Sequence, residues 1–244
     1  DWSSDVCSSD QWSVPLSIFF AIPVMLLLGI AMERGLIRFF YRRTHAEQIL
    51  VTFGLAIVVQ EIVKANFGAN PIPVTAPAAL TGSADVGSWI GLGGIFYPWW
   101  RLVYLGFALT VMGLVIAFLR YTTYGMVVRA GMEDRQTVGF LGIDIQKRFT
   151  VVFGMAAVVA GLAGVMYTPI VPPNYHIGMD FLVLSFVVVV VGGMGSVSGA
   201  VLAGFLLGIL QSFASMNEVK DIVPGIDQVI VYLVAVVVLL LMPR

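Results

Sequence analysis

LVYLGFALTVMGLVIAFL, residues 102–119, is an apolar run bounded by Arg101 and Arg120 and carrying no charged side chain. A helix rises about 1.5 Å per residue, so about 20 such residues cross the roughly 30 Å hydrocarbon core of a bilayer. Reading outward from this run, further mainly apolar runs occur at Trp12 to Met32, Ile49 to Phe67, Phe149 to Ile170 and Gln228 to Met242. The stretch from Phe181 to Phe213 is also uncharged but too long for one crossing. Gly192, Gly193, Gly195 and Gly199 interrupt it. Glycine tolerates sharp reversals because it has no Cβ. The stretch therefore reads as a short helix from Phe181 to Val191, a turn, and a second helix from Ala200 to Phe213. The expectation is an all-α polytopic transmembrane helix bundle of about seven spans.

Composition agrees. Of 244 residues, 59% are hydrophobic and 11% charged, and the mean hydropathy is +0.96. A soluble domain carries about a quarter charged residues. The net charge of −1 leaves no basic field for phosphate backbones, so nucleic acid is not an expected partner. Cys7 is the sole cysteine, which excludes an intrachain disulfide. It lies in DWSSDVCSSD, residues 1–10, which has neither the basic start nor the apolar body of a signal peptide. Residues 1–10 are read as a non-native scar, and 11–244 as a single transmembrane domain, incomplete at both ends.

Basic residues concentrate on the cytoplasmic ends of spans. Of the 13 Lys and Arg, only Lys64, Arg101 and Lys220 fall outside three places on one side: loops 33–48 and 120–148, and Arg244. Those loops, with the reversal at 192–199, are expected on the cytoplasmic side of the membrane. On the opposite side, residues 68–100 contain no Lys or Arg and end in Tyr97, Trp99 and Trp100, which suit the headgroup layer. That loop reads either as an interfacial anchor or as a surface for a partner.

Little in the chain points to covalent chemistry. His45 and His176 have no second ligand at metal spacing and read as surface residues. In Gly195-Ser196-Val197-Ser198-Gly199 neither serine has glycine two residues before and after it, so the nucleophile-elbow pattern fails. No G-x-x-x-x-G-K-[ST] run occurs, so the chain has no phosphate loop, and no cofactor of its own is expected. Polar groups cluster within one span at Gln60, Glu61 and Lys64. They read either as the lining of a substrate pathway or as a pair at the outer interface. Small residues four apart, at Ala157 and Gly161, Ala160 and Gly164, and Ala200, Gly204 and Gly208, let helices approach closely.

The segment from Arg120 to Arg148 mixes five basic side chains with Glu133, Asp134 and Asp144. It reads either as a short surface helix docking into a partner groove or as a solvated loop. Within it, the pair Arg129-Ala130, then Asp134 and Gly142-Ile143, resembles the inner-loop region of LivH-type permeases, the membrane subunits of ABC importers for branched-chain amino acids. Val191-Gly192-Gly193-Met194-Gly195-Ser196 followed by Gly199-Ala200-Val201 is similar to that family's glycine-rich segment. Leu50-Val51-Thr52-Phe53-Gly54-Leu55 resembles its second-helix pattern.

The resemblance implies an import permease rather than an enzyme, with branched-chain or other apolar amino acids as cargo. A secondary transporter or channel for a small solute is the alternative. It implies a homologous second permease, two cytosolic ATPase subunits that bind the ATP, and an extracytoplasmic binding protein. Arg129, Ala130, Gly131, Glu133, Asp134 and Gly142 would form the ATPase-coupling loop. Gly192, Gly193, Gly195, Gly199 and Gly204 remain packing and reversal residues.

Overall fold

The computed structural model describes residues 13–241 except 42, 72–73, 75–76, 78–79, 81, 86–95, 134, 141, 143, 194 and 217–224. The proposed scar at 1–10 lies outside them. The helices are α1 (Ser13–Met32), α2 (Arg38–Phe40), α3 (His45–Phe67), α4 (Trp99–Tyr121), α5 (Thr123–Glu133), α6 (Arg135–Phe140), α7 (Ile145–Tyr167), α8 (Ile177–Gly192), α9 (Val197–Ala214) and α10 (Ile226–Leu241). A π-helical stretch, Glu33–Ile37, joins α1 to α2. Among the described residues, five helices are long and apolar enough to cross a membrane: Leu16–Phe40, Glu47–Phe67, Trp99–Tyr121, Ile145–Tyr167 and Val197–Ala214. Ile177–Gly192 and Val229–Val238 are shorter apolar helices. The fold is an all-α polytopic membrane architecture. Phe19 is 73% exposed, Leu50 73% and Leu240 75%, surfaces that a bilayer covers and water would not.

The helices follow the sequence reading with some differences, and the 120–148 connection takes the helical one of its two readings. The first span does not stop at Met32; it continues through the π-helical stretch to Phe40, so Arg34 and Arg38 ride on a helix instead of a loop. Two helices, α5 and α6, occupy much of the 120–148 connection. A small antiparallel hairpin, β1 (Ser83–Asp85) with β2 (Phe96–Pro98), lies in a region expected to be a loop, with Ala84 opposite Tyr97. The N–H of Trp99 donates to the Gly82 carbonyl at 3.0 Å, tying the start of α4 to that hairpin.

The chain forms two compact units. The first comprises residues 1–58 and 63–175, the second 59–62 and 176–244. In the first, α1 packs along α7 over small residues. A Cβ on Gly29 would come within 2.6 Å of Ala157 Cβ, and one on Gly154 within 3.1 Å of Leu26. Gly161 closes on Met25 in the same interface. The Ala157–Gly161 face is thus used inside the chain, whereas Gly164 meets nothing within 4 Å. Trp100 and Met166 form a second cluster, and the indole N–H of Trp100 donates to the Met166 carbonyl at 3.1 Å. That bond satisfies a donor which would be costly to bury unpaired. In the second unit, Val187 of α8, Leu207 of α9, and Val231 and Ala235 of α10 form the core.

Candidate functional site

The segment between α4 and α7 is built around Thr122. Its N–H and its hydroxyl both donate to the Phe118 carbonyl, at 3.1 and 2.6 Å, which ends α4. The same hydroxyl oxygen accepts from the Gly125 N–H at 3.2 Å, the geometry of an N-cap for α5. The chain doubles back so tightly that Gly125 lies against the Leu119 backbone, leaving no room for a Cβ. Sequence reasoning passed over both residues. The T-x-x-G spacing after a basic helix end is a weak signal on its own.

The two short helices lean on α7. Val128, Gly131, Val138 and Ile145 are buried. Gly131 sits 3.6 Å from the Phe149 ring and 3.7 Å from Ile145, both measured to the Cβ it lacks. Arg129 and Ala130 point the other way and are exposed, as is Met126; Phe140 is 88% exposed. The six residues proposed from sequence therefore separate. Arg129 and Ala130 are outward, and Gly131 is a packing residue. Glu133 closes α5, and its side chain lies outside the described residues, as does Asp134 entirely. Gly142 forms the turn before α7 with φ +75°, a conformation side chains disfavour, and its N–H donates to the Gly139 carbonyl at 3.1 Å.

Asp144 then caps α7 by accepting from the Lys147 N–H at 3.2 Å, while Lys147 Nζ lies 3.1 Å from its other oxygen. The Lys147 ammonium, with that backbone bond behind it, holds the Asp144 carboxyl below the usual carboxylate range. Arg148 lies 4.3 Å from the centroid of Tyr124, whose ring stacks on Phe118 at 6.4 Å. A groove of about 410 Å³ opens here, lined by Tyr124, Gly142, Asp144, Lys147, Arg148 and Val151. The arrangement presents a charged rim and exposed apolar side chains on short helices fastened to a long apolar one. It is suited to gripping another protein.

A buried carboxylate escaped the sequence reading. Glu33, in the π-helical stretch, is 0% exposed. The Thr150 hydroxyl lies 2.7 Å from Glu33 Oε2 and 3.0 Å from the Gln146 carbonyl. Glu33 Oε1 meets no hydrogen-bond partner among the described residues. Nearby, the Arg38 guanidinium donates to the Gln146 side-chain oxygen. A span assumed to end at Met32 hides Glu33. Extending the apolar run across the acid would have revealed it.

Gln60 and Glu61 lie on α3. Gln60 Nε2 is 3.2 Å from His176 Nδ1, and Glu61 is exposed. Lys64, one turn on, places its ammonium 5.2 Å from the Tyr175 ring, a cation–π distance. Between α8 and α9, Gly193 and Gly195 adopt φ +87° and +93°. A Cβ on Gly192 would meet the Ala200 backbone at 2.5 Å, and Gly199 abuts the Gly192 carbonyl. Ser196 caps α9 by accepting from the Gly199 N–H at 3.0 Å. That bond gives Ser196 a structural role. Gly204 faces Val188 at 3.6 Å. No group of three or more His, Cys, Asp or Glu side chains that could hold a metal occurs among the described residues.

The family model described as the permease component of branched-chain amino acid transport systems matches residues 6–242. The chain belongs to this family. The permease is 26% identical over 229 residues to the high-affinity branched-chain amino acid transport system permease protein LivH of Escherichia coli K12, covering 91% of this chain and 70% of that one. It is 27% identical over 224 residues to the BraD permease protein of Pseudomonas aeruginosa, covering 86% and 70%. It is also 24% identical over 238 residues to the ribose import permease protein RbsC of Haemophilus influenzae, covering 92% and 69%. No solved structure matches it. The permease is a multi-pass membrane transport protein, not an enzyme.

Proposed function

We propose that this permease is the translocating subunit of an ABC importer and moves branched-chain or other apolar amino acids inward by alternating access. The α5–α6 pair carries the proposal. Gly131 lies against Ile145 and Phe149 of α7, Val128 and Val138 are buried, and Arg129, Ala130 and Phe140 are exposed. A force applied to that outward face by a moving ATPase passes through packed side chains into the spanning helices. Arg129 to Gly142 is accordingly the coupling segment, with Arg129 and Ala130 as contact residues and Gly131 and Gly142 shaping it. Glu133 and Asp134 follow Arg129 in the sequence and add two acidic groups to the segment.

The partners are two ATPases that bind ATP, a homologous second permease and an extracytoplasmic binding protein. The concentration of Lys and Arg supports a cytoplasmic side, at the inner membrane, for the end of the first span with the residues up to 48 and for 120–148. The short apolar helices α8 and α10 cross with the five longer ones. Gln60 and Glu61 line the pathway; the bond from Gln60 to His176 gives that stretch of α3 a polar neighbour. The LivH and BraD names support amino-acid cargo.

The test is purification of the permease from its own membrane, identification of the retained subunits by mass spectrometry, and reconstitution into vesicles with labelled leucine. The expected outcome is a co-purifying ATPase pair and leucine uptake that requires ATP. Uptake without ATP, or a preparation free of any ATPase, refutes the importer and leaves a channel or secondary transporter.

A further inference from the structure

At the end of the first unit remote from α5, a groove of about 480 Å³ is lined by β2, α4 and the end of α7. Its size falls within the roughly 300–1,000 Å³ typical of small-molecule sites. Arg101, Leu105 and Ala108 line it at i, i+4 and i+7 of α4, a single helix face. Tyr97, Tyr104 and Tyr167 contribute aromatic walls, with the Tyr104 and Tyr167 rings 5.9 Å apart. Arg101 is exposed, and no ion pair or hydrogen bond engages its guanidinium among the described residues. The walls are held in place, because Trp100, next to Arg101, is buried and bonded to Met166 of α7.

We infer that this groove binds the phosphate headgroup of an anionic phospholipid at Arg101, with an acyl chain running along Leu105 and Ala108. Arginine pairs bidentately with phosphate oxygens. Tyrosine hydroxyls and rings suit the zone where headgroup gives way to hydrocarbon, and Trp99 and Trp100 mark that zone at the start of α4. From Arg101 to Ala108 the helix advances about 10 Å, which carries a ligand from the polar layer into the acyl region. The side chains change accordingly from cationic to aliphatic. A free amino acid fits less well. Its ammonium needs an acidic partner, and no acidic side chain among the described residues lines the groove.

The experiment extracts and weighs the phospholipids that remain on the permease, with its bound subunits, after mild-detergent purification from membranes containing phosphatidylglycerol and phosphatidylethanolamine. The wild-type protein is expected to retain phosphatidylglycerol over phosphatidylethanolamine, and Arg101→Met to lower that ratio about tenfold, the loss of one charge-assisted contact. Arg101→Lys keeps part of the preference. Ala108→Phe blocks the tail while leaving the cation, so it lowers retained phosphatidylglycerol even if Arg101→Met fails to fold. No enrichment in the wild type, or the same ratio in a monodisperse Arg101→Met preparation, overturns the assignment. So does release of the retained phosphatidylglycerol by millimolar leucine, which would make the groove a cargo site.

Discussion

Thr150 on α7 hydrogen-bonds Glu33 across the α1–α7 interface at 2.7 Å, although 117 residues separate them in sequence. It joins the π-helical stretch of the first span to the start of α7, immediately beyond the proposed coupling segment. Thr150→Val keeps the shape and deletes the partner, leaving a second buried carboxylate oxygen unsatisfied, which costs about 1–3 kcal/mol. Thermal unfolding in detergent should show the lower midpoint. Replacing both partners, as Glu33→Leu with Thr150→Val, is expected to recover part of that loss, because two apolar groups leave no orphan. A double variant no more stable than the weaker single one would show that the bond is not what matters there.

Gly125 has no space for a side chain against the Leu119 backbone. Gly125→Ala must push α5 away from α4, an overpacking cost of about 1–3 kcal/mol. A Cβ on Gly139, on the neighbouring short helix, would meet nothing within 4 Å among the described residues. Gly139→Ala is expected to leave the unfolding midpoint unchanged, and the pair of variants separates close packing from mere loss of a glycine.

Asp144 is held below the usual carboxylate range by the Lys147 side chain, then by the Lys147 backbone N–H. A lowered pKa in the folded chain means that its cap stabilises α7 fully above the ordinary aspartate range. The contribution fades as pH falls through the lowered value. Amide hydrogen exchange in the first turn of α7 should therefore speed up on acidification. Asp144→Asn retains a capping oxygen and cannot titrate, so in that variant the acid-induced change should disappear.

Arg129 is exposed on the outward side of α5 while Val128 and Gly131 face α7. Arg129→Glu is expected to leave the fold intact, because surface substitutions cost within about 0.5 kcal/mol. In reconstituted vesicles it should lower leucine moved per ATP hydrolysed at least about tenfold, the effect of reversing a charge at a contact. An unaltered ratio would place the motor contact elsewhere.

Much of this architecture is legible in the amino acids because lipid imposes a simple rule of length and polarity. The run at 102–119 and the helix of Ile145–Tyr167 announce themselves that way. Glu33 was hidden because a charged pair, Glu33-Arg34, resembles a span boundary. The buried acid meets Thr150 only through tertiary contact, which no local pattern shows. The β1–β2 hairpin has strands of three residues each, too short for alternation to register. In the proposed coupling segment the residue types were readable but not their directions. That Arg129 faces out and Gly131 in depends on how α5 lies on α7, which no local pattern states.

The wide turn at Glu33–Ile37 is closed by the Arg38 N–H donating to the Glu33 carbonyl five residues back. Such a turn holds one residue more than an α-helical one, and each residue contributes about 100° of rotation. Everything downstream is thus rephased by that angle relative to α1. The seam of α1 against α7 and the azimuth of Arg38 toward Gln146 are set independently of each other by this single surplus residue. Excising one amino acid here would swing the cation aside and leave the seam above untouched.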